Sequence, residues 1–290
     1  MATDIRAPDA DLESAHRSKF LVNRIALPQN RSHFSALTLH SVLSSRMTVH
    51  TKKADRAGHI ADPLSRERAL LQTWFSPSFP IGSFAYSQAL ESAVDAGLVK
   101  NADDLQAWIC DLFQFGSICN DLIISACAWK ATAAGDSPQL NAVIEFAAAF
   151  QPSAERYFEA ITQGRCFLEA ISAAWPCPNL ASALGQLGTE RSIAYAPAVG
   201  MAPAAHDLRI LPTLEAFALA FVTNQVSAGV RLGVLGHSAG QKIIAALLST
   251  IEDAALSASI ATLDEIGSAS FSADLATLEH ETLYTRLFRT

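Results

Sequence analysis

The residue pattern with the most evident chemical potential is Gly-His-Ser-Ala-Gly at residues 236–240, which matches the Gly-x-Ser-x-Gly nucleophile elbow of α/β-hydrolases. An apolar stretch, residues 230–235, precedes it and could form a strand. The partners that such a hydrolase requires follow in the right chain order, first an acid and then His280; the candidate acids are Asp253, Asp264 and Asp274. A hydrolase that uses Ser238 as nucleophile with His280 is therefore one interpretation of the chain.

The elements around this pattern argue against a hydrolase. A nucleophile elbow lies in a parallel sheet, and a parallel sheet requires alternating strands and helices. The residues before position 236 instead show one helical pattern after another, and no His-Gly-Gly type of oxyanion loop is found upstream. Without its strand-turn-helix context, a five-residue pattern is weak evidence.

Helix signals recur along residues 65–290. After Asn101, a predicted N-cap, apolar residues follow with helical spacing: Leu105, Trp108, Ile109, Leu112 and Phe113. Pro63 and Ser137-Pro138 mark helix starts, and residues 195–205 are predicted to form a short helix or turn. Further helices are predicted at 118–134, from 153 to near 175, and at 213–231, 238–256 and 272–288. The fold class is therefore all-α, a single-domain bundle of about eight to ten helices.

Composition excludes several classes of protein. A chain of 290 residues with 50% hydrophobic content can bury a sizeable core, and its net charge of −7 argues against nucleic acid as a partner. The five cysteines contain no Cys-x-x-Cys pair, which favours small buried hydrophobes in a reducing compartment. The uncharged run at 216–230 is too short to span a membrane and contains Asn224 and Gln225. We therefore expect a soluble, cytoplasmic protein without a membrane partner.

Residues 1–64 form an N-terminal extension that lacks sustained periodicity. Residues 1–46 carry six arginines and lysines against four acidic residues, so their charge is opposite to that of the remaining chain. No compact apolar region ending in a small-residue cleavage site is present, which is a poor fit to a secretory signal. Two interpretations stay open: a disordered tail, or an artefact of a start codon upstream of Met47.

Residues 76–91 combine prolines and a glycine, which determine the backbone conformation, with the predicted start of a nearly uncharged helix. Pro77 and Pro80 restrict the backbone, Gly82 can adopt unusual angles, and Ser83 is the predicted N-cap of the following helix. On that helix Tyr86, Leu90 and Val94 are expected to form a buried stripe. Glu91, placed beyond the first turn, needs a specific partner: an arginine or backbone donor of the same domain, or a group across an interface.

These residues resemble the first signature of the urease accessory protein F family, approximately Ser-Pro-x-x-Pro-x-Gly-x-Phe-x-Tyr-Ser-x-Gly-Leu-Glu. Ala89 stands where the family usually has glycine, a change that is compatible with a helix. Residues 226–241 resemble the second signature, Ala-x-Arg-Leu-x-x-x-Gly-Gln-x-x-Gly-Gln, with His237 in place of the first glutamine. His237 is either a hydrogen-bonding substitute for that glutamine or a polar residue at a helix-helix turn.

The C-terminal residues 280–290 resemble the family ending His-Glu-x-Leu-Tyr-Ser-Arg-Leu-Phe-Arg-Ser. Tyr284 stands where His-Glu-x-x-His would need its second histidine, so a zinc protease is excluded. The matched positions that we take as signature or partner-binding residues are Pro80, Gly82, Phe84, Tyr86, Ser87, Glu91, Arg231, Gly236, His237, Gln241, His280, Glu281, Arg286, Phe288 and Arg289.

The resemblance implies a non-enzymatic urease maturation chaperone. Such a protein forms a homodimer, binds urease accessory protein D (called H in some organisms) and recruits the GTPase accessory protein G, and the assembly delivers nickel to apo-urease. No stably bound cofactor is expected on this chain, since the complex handles the nickel. The ending, residues 286–290, is expected to dock on protein D and to contribute little to the core, because arginine and aromatic residues anchor interfaces; the alternative is a frayed helix end with solvated arginines.

The lack of helix caps and apolar periodicity in residues 1–46 generates a first prediction. A shortened protein that begins at Met47 should remain soluble and melt at the same temperature as the full chain, because no part of the core is removed. Thermal melts of the two proteins, measured side by side, test this. Insolubility or a melting temperature lower by several degrees would show that the extension packs on the core.

Overall fold

The computed structural model describes residues 63–188 and 192–290, which form one compact unit. Within these ranges the chain folds into twelve α-helices without a strand, which confirms the all-α class and slightly exceeds the predicted helix number. The helices are α1 Pro63–Trp74, α2 Leu90–Asp95, α3 Ala102–Phe115, α4 Ser117–Ala134, α5 Ser137–Ala149, α6 Ala154–Ala174, α7 Pro178–Leu187, α8 Tyr195–Ala205, α9 Ile210–Arg231, α10 His237–Ala246, α11 Leu248–Ile260 and α12 Phe271–His280. The predictions for residues 1–62 lie outside the described part of the chain.

The centre of the bundle is the pair α4 and α8, which pack against each other more extensively than any other two helices described. Every residue of α8 after Tyr195 is buried, and most of them are small. A Cβ atom on Gly200 would lie 2.2 Å from the Ser125 carbonyl oxygen of α4. Only glycine permits such a close approach of the two backbones. The small-residue composition of 195–205 therefore positions the central helix pair.

Several predicted helix starts are confirmed by their caps. The Asn101 side chain accepts hydrogen bonds from the Asp103 and Asp104 amides at the start of α3, and Ser153 accepts one from Arg156 at the start of α6. Helix α9 begins at Ile210, three residues before its predicted start. Helix α7 was not predicted, although Pro178 stands at its first position in the way typical of helix starts.

Two long helices predicted in the last third of the chain are shorter in the structure. The helix predicted for 238–256 is two helices, α10 and α11, with Leu247 between them. The helix predicted for 272–288 ends at His280, after which the chain continues without helix. This last segment, residues 281–290, is the C-terminal tail. Apolar spacing did not reveal either break, because buried residues continue on both sides of each one.

The prediction that a helix begins at Ser83 is wrong. Residues Ser83–Ala85 form one short 3₁₀ turn, Tyr86 is extended, and Gln88 and Ala89 adopt left-handed backbone angles with φ of 54° and 69°. Helix α2 therefore begins only at Leu90, and Tyr86 is buried without being part of a helical stripe. The replacement of the family glycine by Ala89 is accordingly not a helix-compatible change, since the left-handed conformation favours glycine.

The described residues offer few sites for other chemistry. All five cysteines are free thiols, and burial raises the pKa of the Cys119 thiol. No group of three or more histidine, cysteine or acidic residues within 63–188 and 192–290 could hold a metal ion. No single described helix is long and apolar enough to cross a membrane; only the bent pairs α3–α4 and α10–α11 reach that length and hydropathy, each pair taken together.

The left-handed conformation of Ala89 generates a second prediction. Ala89→Gly should change the free energy of unfolding by less than about 0.5 kcal/mol, because relief of the strained backbone offsets the loss of a buried methyl group. Ala93→Gly, a matched change at a buried position inside α2, should destabilise the protein by roughly 1–2 kcal/mol. Denaturant unfolding of both variants measures the difference. Equal destabilisation would contradict the left-handed assignment.

Candidate functional site

The first and third sequence motifs, residues 76–91 and 280–290, meet at the carboxylate of Glu91. One of its oxygens accepts a hydrogen bond from the Leu287 amide at 2.6 Å. The other accepts one from the Phe288 amide at 2.9 Å and lies 3.2 Å from His280 Nε2. Glu91 is buried in the first turn of α2, not beyond it as predicted. Of the two kinds of partner that we considered, the structure shows the one in the same domain, mainly backbone donors.

Ser87, four residues before Glu91, binds the last residue of the tail. Its amide donates to the Thr290 carbonyl oxygen at 2.8 Å, and its hydroxyl donates to the same oxygen at 2.5 Å. The Ser87 hydroxyl also accepts from the Glu91 amide at 3.2 Å, while the Ser87 carbonyl accepts from Gln225 Nε2 at 3.0 Å. Ser87 is fully buried, so these bonds are shielded from water. The residue joins the first motif, the tail and α9.

Arg231, from the second motif, lies between two aromatic rings. Its guanidinium carbon is 3.7 Å from the centroid of the Phe84 ring and 4.2 Å from that of Phe288. Nη1 also donates to the Phe84 carbonyl oxygen at 2.5 Å. Burial lowers the pKa of Arg231. We call Ser87, Glu91 and Arg231 the tail-docking site, because each contacts the tail and each comes from one of the first two motifs.

The start of the tail is fixed to α6. His280 is fully buried, and its Nδ1 lies 2.6 Å from a carboxylate oxygen of Glu155. Arg286 donates to the other Glu155 oxygen at 2.5 Å and also to the Glu281 carbonyl oxygen. The Glu281 carboxylate accepts from the Ala154 amide at 3.0 Å, at the N-terminal end of α6. Both ring nitrogens of His280 therefore face carboxylate oxygens, one of Glu155 and one of Glu91.

The structure brings most of the predicted residues together, but not all of them. Phe84, Ser87, Glu91, Arg231, His280, Glu281, Arg286 and Phe288 belong to the connected set described above. The Arg289 amide joins it by donating to the Ala85 carbonyl oxygen, and the Tyr86 carbonyl accepts from Asn224. Gly82 supplies the left-handed turn before Ser83. The remaining predicted positions, Pro80, Gly236, His237 and Gln241, are exposed and make none of these contacts.

The hydrolase interpretation is wrong on geometry. Ser238 is the second residue of α10, within a part of the chain where the described residues contain no strand. His280 is buried, and both of its ring nitrogens face carboxylates rather than a serine. Gly240 is needed for packing, because a Cβ atom there would lie 2.5 Å from Val226 Cγ1. His237 begins α10 as an exposed residue, in agreement with a polar residue at a helix-helix turn.

Four participants were not predicted from the sequence. Glu155 binds His280 and Arg286, Glu159 accepts from the Thr290 hydroxyl at 2.7 Å, and Gln225 supports Ser87. Gln225 had a visible signal, since an amide inside an otherwise apolar helical run needs a buried partner. Glu155 and Glu159 had none, because acidic residues near the start of a helix are common on solvated faces. Thr290 has no distinguishing feature apart from its place in the third motif.

The fold and this site define a class of all-α protein whose C-terminal tail packs against residues of the first two motifs. Among the described residues no catalytic set of side chains is assembled. The chain belongs to the urease accessory protein UreF family, whose family model matches residues 99–248. It is 46% identical over 220 residues to the urease accessory protein UreF of Xanthobacter autotrophicus, covering 76% of this chain and 90% of that protein. The UreF of Rhodopseudomonas palustris strain BisA53 is 43% identical over 233 residues, 80% of this chain and 97% of the relative.

A third relative, the UreF of Methylorubrum populi, is 43% identical over 220 residues, which cover 76% of this chain and 97% of that protein. Membership of this family confirms the resemblance that the three motifs indicated. It also confirms that the chain is an accessory protein and not an enzyme.

The buried end of the tail generates a third prediction. Phe288→Ala should lower the free energy of unfolding by about 3 kcal/mol, because the ring is buried against Arg231 and its removal leaves a cavity. The neighbouring Leu287→Ala is the matched control and should cost less than about 0.5 kcal/mol, since its side chain is mostly exposed. Chemical denaturation compares the two. Equal effects would mean that the tail is not docked in solution.

Proposed function

We propose that this protein is a urease maturation chaperone: a non-catalytic scaffold that binds urease accessory protein D, recruits the accessory GTPase G and promotes nickel insertion into apo-urease. Family membership supports the role in urease maturation. The assignment of the individual partners, and of a homodimer as the working form, extends the family resemblance to this chain. GTP hydrolysis and metal loading are activities of the partners or of the whole complex.

The observation that carries the proposal is an apolar surface at the C-terminal end of the chain. Phe271, Leu275 and Leu278 follow the i, i+4, i+7 spacing of one face of α12, and all three are largely exposed. In the tail, Tyr284 is fully exposed and Leu287 is more than half exposed. These five residues are the outer apolar surface. An apolar helix face that its own domain leaves open is a typical protein interaction site.

Because the tail is docked on its own domain, deleting it is not a clean test of partner binding. The expectation that the terminus contributes little to the core is wrong, because Phe288 and Thr290 are buried and bonded to the first motif. Deleting residues 286–290 would therefore remove a structural element together with any docking surface. Substitutions confined to exposed side chains of α12 separate the two effects, since they leave the tail-docking site intact.

The outer apolar surface generates a fourth prediction. The double variant Leu275→Gln, Leu278→Gln should lose about thirtyfold in affinity for accessory protein D, which corresponds to about 2 kcal/mol for the loss of an interface anchor. Its melting temperature should be unchanged, because both side chains are exposed and glutamine is compatible with a helix. Capture of the variant by immobilised protein D, beside a thermal melt, measures both quantities.

The matched control is Leu256→Gln, Ile260→Gln, an exposed leucine and isoleucine pair on α11. It should bind protein D like the parent protein. Undiminished capture of the α12 variant would refute the docking role of the outer apolar surface. A loss of capture accompanied by a lower melting temperature would show that α12 is structural, and equal losses in both variants would indicate nonspecific adhesion.

A further inference from the structure

A cavity of about 730 Å³ lies behind the first motif, between α1, α4, α6, α8, α9 and α11. Aromatic side chains form much of its wall: Trp74, Phe75, Tyr195, Phe217 and Phe221. It adjoins the tail-docking site through Gln88 and Glu159, but most of its wall belongs to other elements. Cavities of roughly 300–1,000 Å³ with apolar walls and few polar groups are typical of sites for small organic molecules.

The cavity wall also contains a buried ion pair, Arg156 and Glu159. Glu159 accepts from Arg156 Nη1 at 2.5 Å and from Thr290 Oγ1 at 2.7 Å. Its other oxygen accepts from Gln163 at 3.0 Å and from Gln88 at 3.2 Å. Both Arg156 and Glu159 are buried, and their charges offset each other. Both oxygens of Glu159 are therefore occupied, and this carboxylate is not available to a cationic ligand.

Asp121, which also lines the cavity, has no such partner. Its carboxylate makes no hydrogen bond or ion pair within residues 63–188 and 192–290, although Arg156 and Glu159 are close enough to act on its charge. Burial raises the pKa of Asp121 to about 6, with a further increase from Glu159 and an opposing effect from Arg156. A carboxylate in this position is best stabilised by a cationic hydrogen-bond donor inside the cavity.

The other charged groups that line the cavity also favour a positively charged ligand. Glu215 and Glu252 are acidic, and Arg68 is the remaining basic residue. Burial raises the pKa of Glu215, and the neighbouring Glu252 raises it further. A metal ion fits poorly, because it needs several ligands and no metal-binding group of three occurs in the described part of the chain. Aromatic faces, in contrast, attract organic cations.

We infer that this cavity binds an organic ammonium ion with an aromatic or aliphatic body: the ammonium group pairs with Asp121, and the body lies against the aromatic wall. The buried Gln88 Oε1, which has no hydrogen-bond partner among the described residues, adds a further acceptor for the ammonium group on the cavity wall. The inference does not depend on the role in urease maturation.

The test compares three compounds of similar shape: 2-phenylethylamine, 2-phenylethanol and 3-phenylpropanoate. Titration calorimetry of the full chain should show the amine binding at least about tenfold more tightly than the alcohol, with the carboxylate weakest. Asp121→Asn should abolish the preference for the amine. Asp111→Asn, the same change at an exposed position in α3, should preserve it.

Acidification gives an independent readout. Lowering the pH from about 7.5 to about 5 should weaken amine binding about tenfold, because the carboxylate of Asp121 is ionised above its pKa and neutral below it. Glu215 loses charge in the same direction, and His206 gains positive charge beside Trp74. In Asp121→Asn most of this dependence should disappear; a full pH dependence in that variant would overturn the assignment to Asp121.

A second variant tests the location of the ligand whether or not Asp121→Asn folds. Ala220→Phe places a ring in the apolar part of the cavity and should weaken both the amine and the alcohol. Unchanged amine affinity in this variant would show that the amine binds elsewhere. Equal affinities of amine and alcohol for the parent protein, or no binding of the amine at millimolar concentration, would overturn the inference.

Discussion

The carboxylate of Glu91 is the group on which the joining of the first motif to the C-terminal segment depends. It is buried, and a buried carboxylate is stable only when hydrogen-bond donors replace the water it has lost. The Leu287 and Phe288 amides supply two of these donors, and His280 supplies the third contact. If the tail moved away, Glu91 would lose two backbone donors at once. The first motif and the tail, nearly two hundred residues apart in sequence, are therefore one structural unit.

Arg231 couples this unit to the body of the helical bundle. Buried guanidinium groups usually pair with a carboxylate, but this one lies between two aromatic faces and donates to a backbone carbonyl. Because neither the rings nor the carbonyl carries a full charge, burial still lowers the pKa of Arg231. The arrangement requires all three side chains: Phe288 from the tail, Phe84 from the turn before α2, and Arg231 from the end of α9. Each motif contributes a part that the other two cannot supply.

The sequence predicted the helices that apolar spacing and caps define, such as α3 with Asn101, and it identified the three motifs. It did not predict how the motifs meet. The left-handed backbone angles at Gln88 and Ala89 place Glu91 in the first turn of α2. The residue types at these positions did not indicate such angles, because alanine normally favours a helix. Glu155 and the unpaired Asp121 were also missed, since single acidic residues in helices give no signal until the neighbouring elements are placed. Tertiary contacts across more than a hundred residues decided these features.

The tail is a short segment of which one side is held by the fold and the other side is exposed. Its last residues alternate in burial: Phe288 and Thr290 face the protein, and Leu287 and Arg289 face outward. Because buried and exposed side chains alternate along these residues, one side of the segment is fixed to the tail-docking site while the other remains open. The outward side chains gain a defined position because the inward ones are held. Any partner that binds the outward side therefore depends on Ser87, Glu91 and Arg231, although the Ser87 and Glu91 side chains are buried away from it.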